Sequence, residues 1–367
     1  MPSVIVVGGG VIGCATAYYL AREGAEVTLL ERGEVSGEAS GAAAGVLAPL
    51  SDHGEHPPLY NRLCDESVAM FDELLSVFAA AGVEVHYRSV GLLEVALNAA
   101  ELRGLEAQFE RRRAEPGVRW LAGAEARRLE PELSEKTEAA ILTSGIRYLD
   151  PRRLTQAFAA AAQREGVTIR EHEPVTRFLR RGDRLRGVRT TGGTYEADEF
   201  LIAGGPWTTA LSRRLGATVP VRPVRGQMLS LQGPPQPLSH IVYGERGLLV
   251  PREDGQTYAG ATVEEAGYRK HTTAAGLRGL RAGAAAMVPS LGNARQLKAW
   301  AGLRPATPDG LPALGRVPGW RNAWVSGGHY RTGILLSPLS GRLMARAIAS
   351  GSEAGLPREL TPARFVG

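Results

Sequence analysis

The chain has 367 residues, 44% apolar and 22% charged, a balance that builds a full core and excludes disorder as the main state. Its formal charge of +5 is carried almost wholly by arginine, in short runs at 111–113, 127–128 and 180–181 that each sit beside acidic residues. That pattern marks a solvated surface, so no nucleic-acid partner is expected. Two cysteines, Cys14 and Cys64, exclude a disulfide scaffold and a thiolate zinc site. No basic region and signal-peptide core precede the apolar run that begins at Val4, and no stretch reaches the roughly 18 apolar residues of a membrane span. A soluble, cytoplasmic protein is expected, with no membrane partner.

In chain order, residues 3–7 are a β-branched run bounded by glycine, read as a buried parallel strand. Gly8-Gly9-Gly10 turns the chain. Residues 11–23 then show helical spacing, with Gly24 placed to cap them. Residues 25–30 form a second strand that ends at Glu31, completing a βαβ unit. The tract 36–45 has almost no side-chain volume, yet the apolar residues 46–50 follow at once, unlike a solvated linker. An amphipathic helix is predicted over 59–81, strands over 83–95 and 141–148, and helices near 100–115 and 122–130. Asp150 as N-cap and Pro151 in the first turn predict a helix over 151–165. Strands follow at 167–170, a hairpin at 186–191 with 194–196, and a buried strand at 200–203. The rest reads as strands at 219–231, 241–250 and 256–261, a helix at 274–287, strands at 298–303 and 323–326, and a closing helix at 334–350. Stretches of α/β character alternate with β-rich ones, which predicts two domains that the chain visits more than once.

Gly8-x-Gly10-x-x-Gly13 follows a strand and opens a helix. Gly8 permits the tight turn, Gly10 lets a pyrophosphate approach the backbone, and Gly13 lets the helix pack on the strand. The helix N-terminus offers free N–H groups to phosphate. Glu31, at the end of the next strand, suits a ribose diol and disfavours a 2′-phosphate. The small-residue tract 36–45 decides between NAD and FAD. It lets the chain lie along an extended cofactor, with Ser40 bonding its phosphates, and a nicotinamide enzyme needs no such second segment.

Five motifs carry a family resemblance. They are Val6-Val-Gly-Gly-Gly-Val-Ile-Gly13, Ala42-Ala-Ala-Gly-Val-Leu47, Val221-Arg-Pro-Val-Arg-Gly-Gln227, Trp300-Ala-Gly-Leu-Arg-Pro305 with Pro308-Asp-Gly310, and Gly328-His-Tyr-Arg-Thr-Gly-Ile334. With them the chain resembles, over nearly its whole length, the glycine oxidase and D-amino-acid oxidase family of FAD-dependent amine oxidases. Within that family it is most similar to the bacterial glycine oxidases of thiamine biosynthesis.

The resemblance implies an α/β fold. A Rossmann-like FAD-binding domain of the glutathione-reductase type would span 1–84, 146–219 and 303–367, interleaved with an antiparallel-sheet substrate domain over 85–145 and 220–302. It implies non-covalent FAD, with Val11 and Ile12 at the pyrophosphate, Glu31 and Arg32 at the adenosine ribose, and Ala39 and Ser40 along the phosphates. Ala43, Ala44, Gly45 and Val46 would lie along the isoalloxazine ring, Val175 would bond adenine through its backbone, and Gly204 would lie nearby. His329, Tyr330, Arg331, Thr332, Gly333, Ile334 and Leu335 would close over the pyrimidine side of the ring. Arg304 would bind the substrate carboxylate, and Arg331 would be a second substrate contact.

Arg304 also stands on its own chemistry, because it ends an apolar strand before the rigid Pro305 and its guanidinium gives two parallel bonds to a carboxylate. One position departs from the family, which usually has a tyrosine where Leu248 stands. Tyr243, Tyr330 and Arg246 are the candidates to assist Arg304 instead, and the leucine makes that wall more apolar.

The implied activity is FAD-dependent oxidative deamination of glycine or a small amino acid. Hydride passes from the α carbon to flavin, the imine hydrolyses to a keto acid and ammonia, and oxygen yields hydrogen peroxide. No general base is nominated, since positioning suffices. A thiazole synthase is the implied downstream partner and a homo-oligomer the implied assembly. The alternatives are a D-amino-acid, sarcosine or proline dehydrogenase with a non-oxygen acceptor, and a flavoprotein of tRNA modification. Asp52, His53, Glu55 and His56 are read as a solvated loop, and no metal is expected.

Overall fold

The β-branched run Ser3–Val7 lies in the middle of a six-stranded sheet, between Glu26–Leu30 on one side and Glu199–Ile202 on the other. Both pairings are parallel. Thr168–Arg170 and Ala323–Gly327 extend the sheet in the same sense, and Ala313–Arg316 closes one edge antiparallel. A parallel sheet must be covered on both faces, which explains the unbroken apolar runs. Val4, Val6 and Leu29 share a core with the helices Val11–Arg22, Pro151–Arg164 and Ser337–Ser350. Ile5, Val7 and Phe200 face the other way, onto Phe178, Leu185 and Val188 of a small sheet made of Arg177–Arg181, Arg184–Arg189 and Thr194–Glu196. The computed structural model describes residues 2–48 and 57–366, so the acidic and histidine cluster at 52–56 lies outside the described residues.

The second large sheet runs in the order Gln296–Ala306, Arg222–Gln232, Gln256–Gly260, Gly247–Pro251, Ile241–Gly244, Leu92–Ala96, Ala139–Thr143, Val118–Ala122. Every pairing is antiparallel except that of Ile241–Gly244 with Leu92–Ala96. Residues opposite one another across a sheet share a face. The register therefore sets Gly302, Gly226, Met228, Gly260, Leu248, Tyr243 and Glu94 on one face. Arg304, two residues from Gly302, points the same way. The helix Ala99–Arg112 packs on this face through Leu105 against Ala96 and Ile141. Helix Ala274–Met287 covers the opposite face.

Several elements differ from the expectation for local reasons. The strand expected at 241–250 is a hairpin, Ile241–Gly244 and Gly247–Pro251, turned by Glu245-Arg246 with Gly247 at φ 125°. The strand expected at 83–95 is broken by Gly91, at φ 79°, into Arg88–Ser89 and Leu92–Ala96. Arg177–Arg181 adds a strand to the hairpin expected at 186–196. The strand expected at 298–303 extends over Gln296–Ala306, so the expected domain limit between 302 and 303 falls inside one strand. The closing helix starts at Ser337, because residues 329–336 form successive turns. Among the described residues no helix is long and apolar enough to cross a membrane.

Candidate functional site

The glycine motif is built as its spacing requires. Gly8 adopts φ 119°, and a methyl group there would run into the Ala203 carbonyl. A methyl on Gly13 would strike the Gly8 carbonyl, so that position seats the helix against the turn. At Gly10 the nearest obstacle is the Ser40 hydroxyl at 3.3 Å. Helix Val11–Arg22 starts there without a side-chain cap from Gly10, and the Val11 N–H donates to Ser40 Oγ at 2.9 Å. Beside it, Glu31 is fixed by two backbone donors, Gly9 N–H at 2.6 Å and Gly33 N–H at 2.8 Å. Arg32 stacks over Trp207 at 3.5 Å and pairs with Glu38 at 2.8 Å, and Glu38 also holds Lys270 at 2.7 Å.

A cavity of about 910 Å³ opens from Gly10, Val11 and Ile12 and runs along Ala39, Ser40, Ala43, Ala44, Gly45 and Val46 to Arg304. The tract needs its small residues. A methyl on Gly45 (φ 83°) would collide with the Leu149 carbonyl, and one on Gly302 would lie 2.6 Å from Ala42 Cβ. Trp300 Nε1–H donates to the Ala42 carbonyl at 3.0 Å and pins the tract to the second sheet.

At the far end the Arg304 guanidinium lies flat on Gly226. A methyl on that glycine would sit 2.5 Å from both terminal nitrogens and 2.6 Å from Cζ. Its Nη1–H donates to the Thr262 carbonyl at 3.0 Å. Tyr243 and Leu248, opposite one another across the hairpin, line the cavity next to it. His329, Tyr330, Arg331, Gly333 and Ile334 line the side facing the tract. Tyr330 takes φ 46° and donates its N–H to the Pro305 carbonyl at 2.8 Å, which ties this loop to the Arg304 strand. His329 is 2% exposed and bonds Ser340 Oγ through Nε2 at 3.0 Å. Burial lowers its pKa from 6.5 to about 3, so the imidazole is neutral.

Other expected residues stand off the cavity wall. Thr332 is buried against the Tyr60 hydroxyl, and Leu335 lies in the core with its carbonyl accepting from Ser67 at 2.7 Å. Val175 sits on the opposite sheet face, its carbonyl receiving Arg214 at 3.0 Å. Gly204 lies against Leu211, where a methyl would come within 2.5 Å.

Conversely, Gly226, Met228, Gly260 and Gly302 line the cavity, though none was expected as a site residue and only Gly226 and Gly302 fall within the quoted motifs. Glycine inside a strand is a signal of close approach that would have found three of them. Glu94, on the strand Leu92–Ala96, and Glu101, Gln108 and Arg111, on the helix Ala99–Arg112, also wall it and carry no such signal. Glu94 is bonded by Gln108 at 2.5 Å and Arg112 at 2.6 Å. Among the described residues no cluster could hold a metal ion.

A family model described as FAD dependent oxidoreductase matches residues 3–347. The chain belongs to that family. Glycine oxidase of Pseudomonas putida is 35% identical over 342 residues, covering 93% of this chain and 92% of that one. The crystal structure of glycine oxidase from Geobacillus kaustophilus has a TM-score of 0.92 at 32% identity, covering 100% of this chain and 99% of that one. The bifunctional protein ThiO/ThiG of Synechocystis is 32% identical over 371 residues, 99% of this chain and 54% of that protein. The flavoprotein's cofactor is FAD, and the site fits it. The helix start, where Gly10 offers no cap and the Ser40 hydroxyl meets Val11 N–H, suits a pyrophosphate, Glu31 stands at the strand end where a ribose would lie, and Gly41 and Gly45 in the trough leave no room for a methyl group.

Proposed function

We propose that this flavoprotein oxidises glycine and other small amino acids, using oxygen as acceptor. FAD-dependent amino-acid oxidation is the activity of the family members it matches along its whole length. The observation that carries the reading is Arg304, a guanidinium on a glycine floor in the wall of the cavity that the small-residue tract also lines.

In this reading Gly10, Val11, Ile12 and Ser40 hold the pyrophosphate and Glu31 the ribose diol. Residues 43–46 and the wall residues His329, Tyr330, Arg331, Gly333 and Ile334 would enclose the ring. Bound there, FAD would supply the two-electron acceptor for the hydride of the substrate's α carbon, with oxygen as the terminal acceptor giving hydrogen peroxide. Arg304 receives the carboxylate through two parallel N–H bonds and so fixes the α carbon. Arg331 and Tyr330 close over the substrate from the loop side, and Tyr243 and Leu248 form its wall. With its pKa lowered to about 3 by burial, His329 is too weak a base to hold a proton near neutral pH, in keeping with transfer by positioning.

Residues 1–84, 146–219 and 303–367 mainly serve the cofactor in this account, with Arg304, Tyr330 and Arg331 reaching the substrate, and 85–145 and 220–302 form the substrate domain. The separate six- and eight-stranded sheets support that division, except that residues 303–306 continue a strand of the eight-stranded sheet. The imine product, released before hydrolysis, is what a thiazole synthase would consume. The bifunctional relative, whose name joins two activities in one chain, supports this partner. Incubation with glycine in air tests the reading. Glyoxylate, ammonia and peroxide in equal amounts are expected. A flavin that glycine reduces without peroxide on readmission of air would point instead to a dehydrogenase.

A further inference from the structure

We infer that Thr262, locked by Glu264, is the positioning residue for Arg304, its backbone carbonyl aiming the guanidinium that receives the substrate carboxylate. This rests on the amino-acid reading above.

After the strand Gln256–Gly260 the chain does not leave the sheet. Thr262 N–H donates to the Gln227 carbonyl at 3.3 Å, and Arg225 and Glu264 exchange backbone bonds of 2.9 and 3.0 Å. Residues 262–264 thus lie along 225–227, the same three residues whose middle member, Gly226, is the floor under the Arg304 guanidinium. Floor and carbonyl belong to one unit.

The side chains lock that unit. Thr262 Oγ1 accepts the Gln227 N–H at 2.9 Å and donates to the Glu264 carboxylate. The same carboxylate takes Gln227 Nε2–H at 2.7 Å and a guanidinium N–H of Arg225. Gln227 is fully buried, and its Oε1 accepts the Thr273 N–H at 2.7 Å. Arg225 is 7% exposed. Three donors converge on the two oxygens of Glu264, so a glutamine amide there would turn an N–H toward a donor. Burial raises the Glu264 pKa, but the bonds from Arg225, Thr262 and Gln227 outweigh it and hold the group below its ordinary value. The lock therefore stays charged across neutral pH. A carbonyl that must orient a cation gains from being fixed this way, since catalysis falls steeply with small misplacements of a binding group.

The test uses the FAD holoenzyme and acetate, a carboxylate with no amine to oxidise, titrated against the flavin absorption spectrum. The wild type is compared with Arg304→Ala, Thr262→Val, Thr262→Ser and Glu264→Gln. Thr262→Val keeps the shape and removes the hydroxyl. It is expected to weaken acetate binding and raise the glycine KM by about tenfold, equivalent to about 1.4 kcal/mol, while kcat and FAD content stay near wild type. Thr262→Ser restores the hydroxyl and should restore acetate affinity. Glu264→Gln should behave as Thr262→Val does, and it decides the matter if the valine variant fails to retain FAD. Loss of acetate binding in Arg304→Ala alone, with Thr262→Val and Glu264→Gln both binding as wild type, overturns the positioning role and leaves the function intact. Undiminished acetate binding in Arg304→Ala overturns the carboxylate reading itself, and this inference with it.

Discussion

Replacing Gly226 by alanine should separate substrate binding from cofactor binding. The new methyl would sit 2.5 Å from both terminal nitrogens of Arg304 and 2.6 Å from Cζ. Ordinary contact is about 3.5 Å, so the guanidinium must lift by about 1 Å. The obstacle is the free end of a long side chain rather than backbone, so the sheet can keep its register and the displacement falls on Arg304. The FAD trough lies on the neighbouring strand, where Gly302 meets Ala42, and is untouched. A hydrogen bond to a charged group contributes about 1.5–3 kcal/mol, and a misplacement of this size costs roughly 100-fold in rate. Gly226→Ala should therefore lose between about 10- and 100-fold in kcat/KM for glycine, mostly through KM, with full flavin content and an unchanged melting temperature. Peroxide release at varied glycine, alongside the ratio of flavin to protein absorbance, measures both quantities. A variant with full flavin and kcat/KM within about twofold of wild type would refute the placement of Arg304 as the carboxylate site.

Gly302→Ala should fail in the opposite way. Its methyl would press on Ala42 Cβ at 2.6 Å, in a tract already fixed by Trp300, so FAD affinity should fall before substrate affinity does. Ultrafiltration of holoenzyme would show this as released flavin. His329 should make stability depend on acid. It protonates near pH 6.5 when unfolded but only at about pH 3 in the fold, so its contribution is complete above pH 6.5 and is lost as pH falls toward 3. Between pH 7 and 5 the wild type should lose about 2 kcal/mol more than His329→Asn, at about 1.4 kcal/mol per pH unit. Parallel urea-unfolding curves for the two would contradict this. Burial raises the pKa of both thiols, that of Cys64 to about 12, so neither Cys14 nor Cys64 should be alkylated by iodoacetamide at pH 8 until the protein is unfolded.

The βαβ unit was legible because its constraints are local. Gly8 and Gly13 each meet a backbone carbonyl within the same turn or the adjoining strand, and no other residue fits there. Helix Pro151–Arg164 was legible because Asp150 caps it, accepting from Arg152 and Arg153 N–H at 2.9 and 3.0 Å. The strand Gln296–Ala306 was underestimated because Pro305 read as its end. Pro305 instead lies opposite Pro223 at the sheet's edge, before the third strand joins at Met228, so few N–H donors are missed.

The proposed substrate end of the site was legible only in part. Arg304 announced itself by charge beside a proline, but its floor at Gly226 and its carbonyl at Thr262 are set by strand register, which no local pattern encodes. Register also brings Glu94 and the helix Ala99–Arg112 to the cavity, by pairing Tyr243 with both Leu248 and Glu94 across two strand contacts. Leu248 was placed on the wall by resemblance alone, and the register puts it opposite Tyr243.

The most direct test of the account is anaerobic. The purified flavoprotein is mixed with glycine without oxygen, and the flavin absorbance near 450 nm is followed before air is admitted. Bleaching by glycine, then rapid recovery with one peroxide per flavin, is the predicted result. A flavin that stays oxidised with glycine, sarcosine and D-alanine alike would contradict the assignment of Arg304 and its trough to amino-acid oxidation.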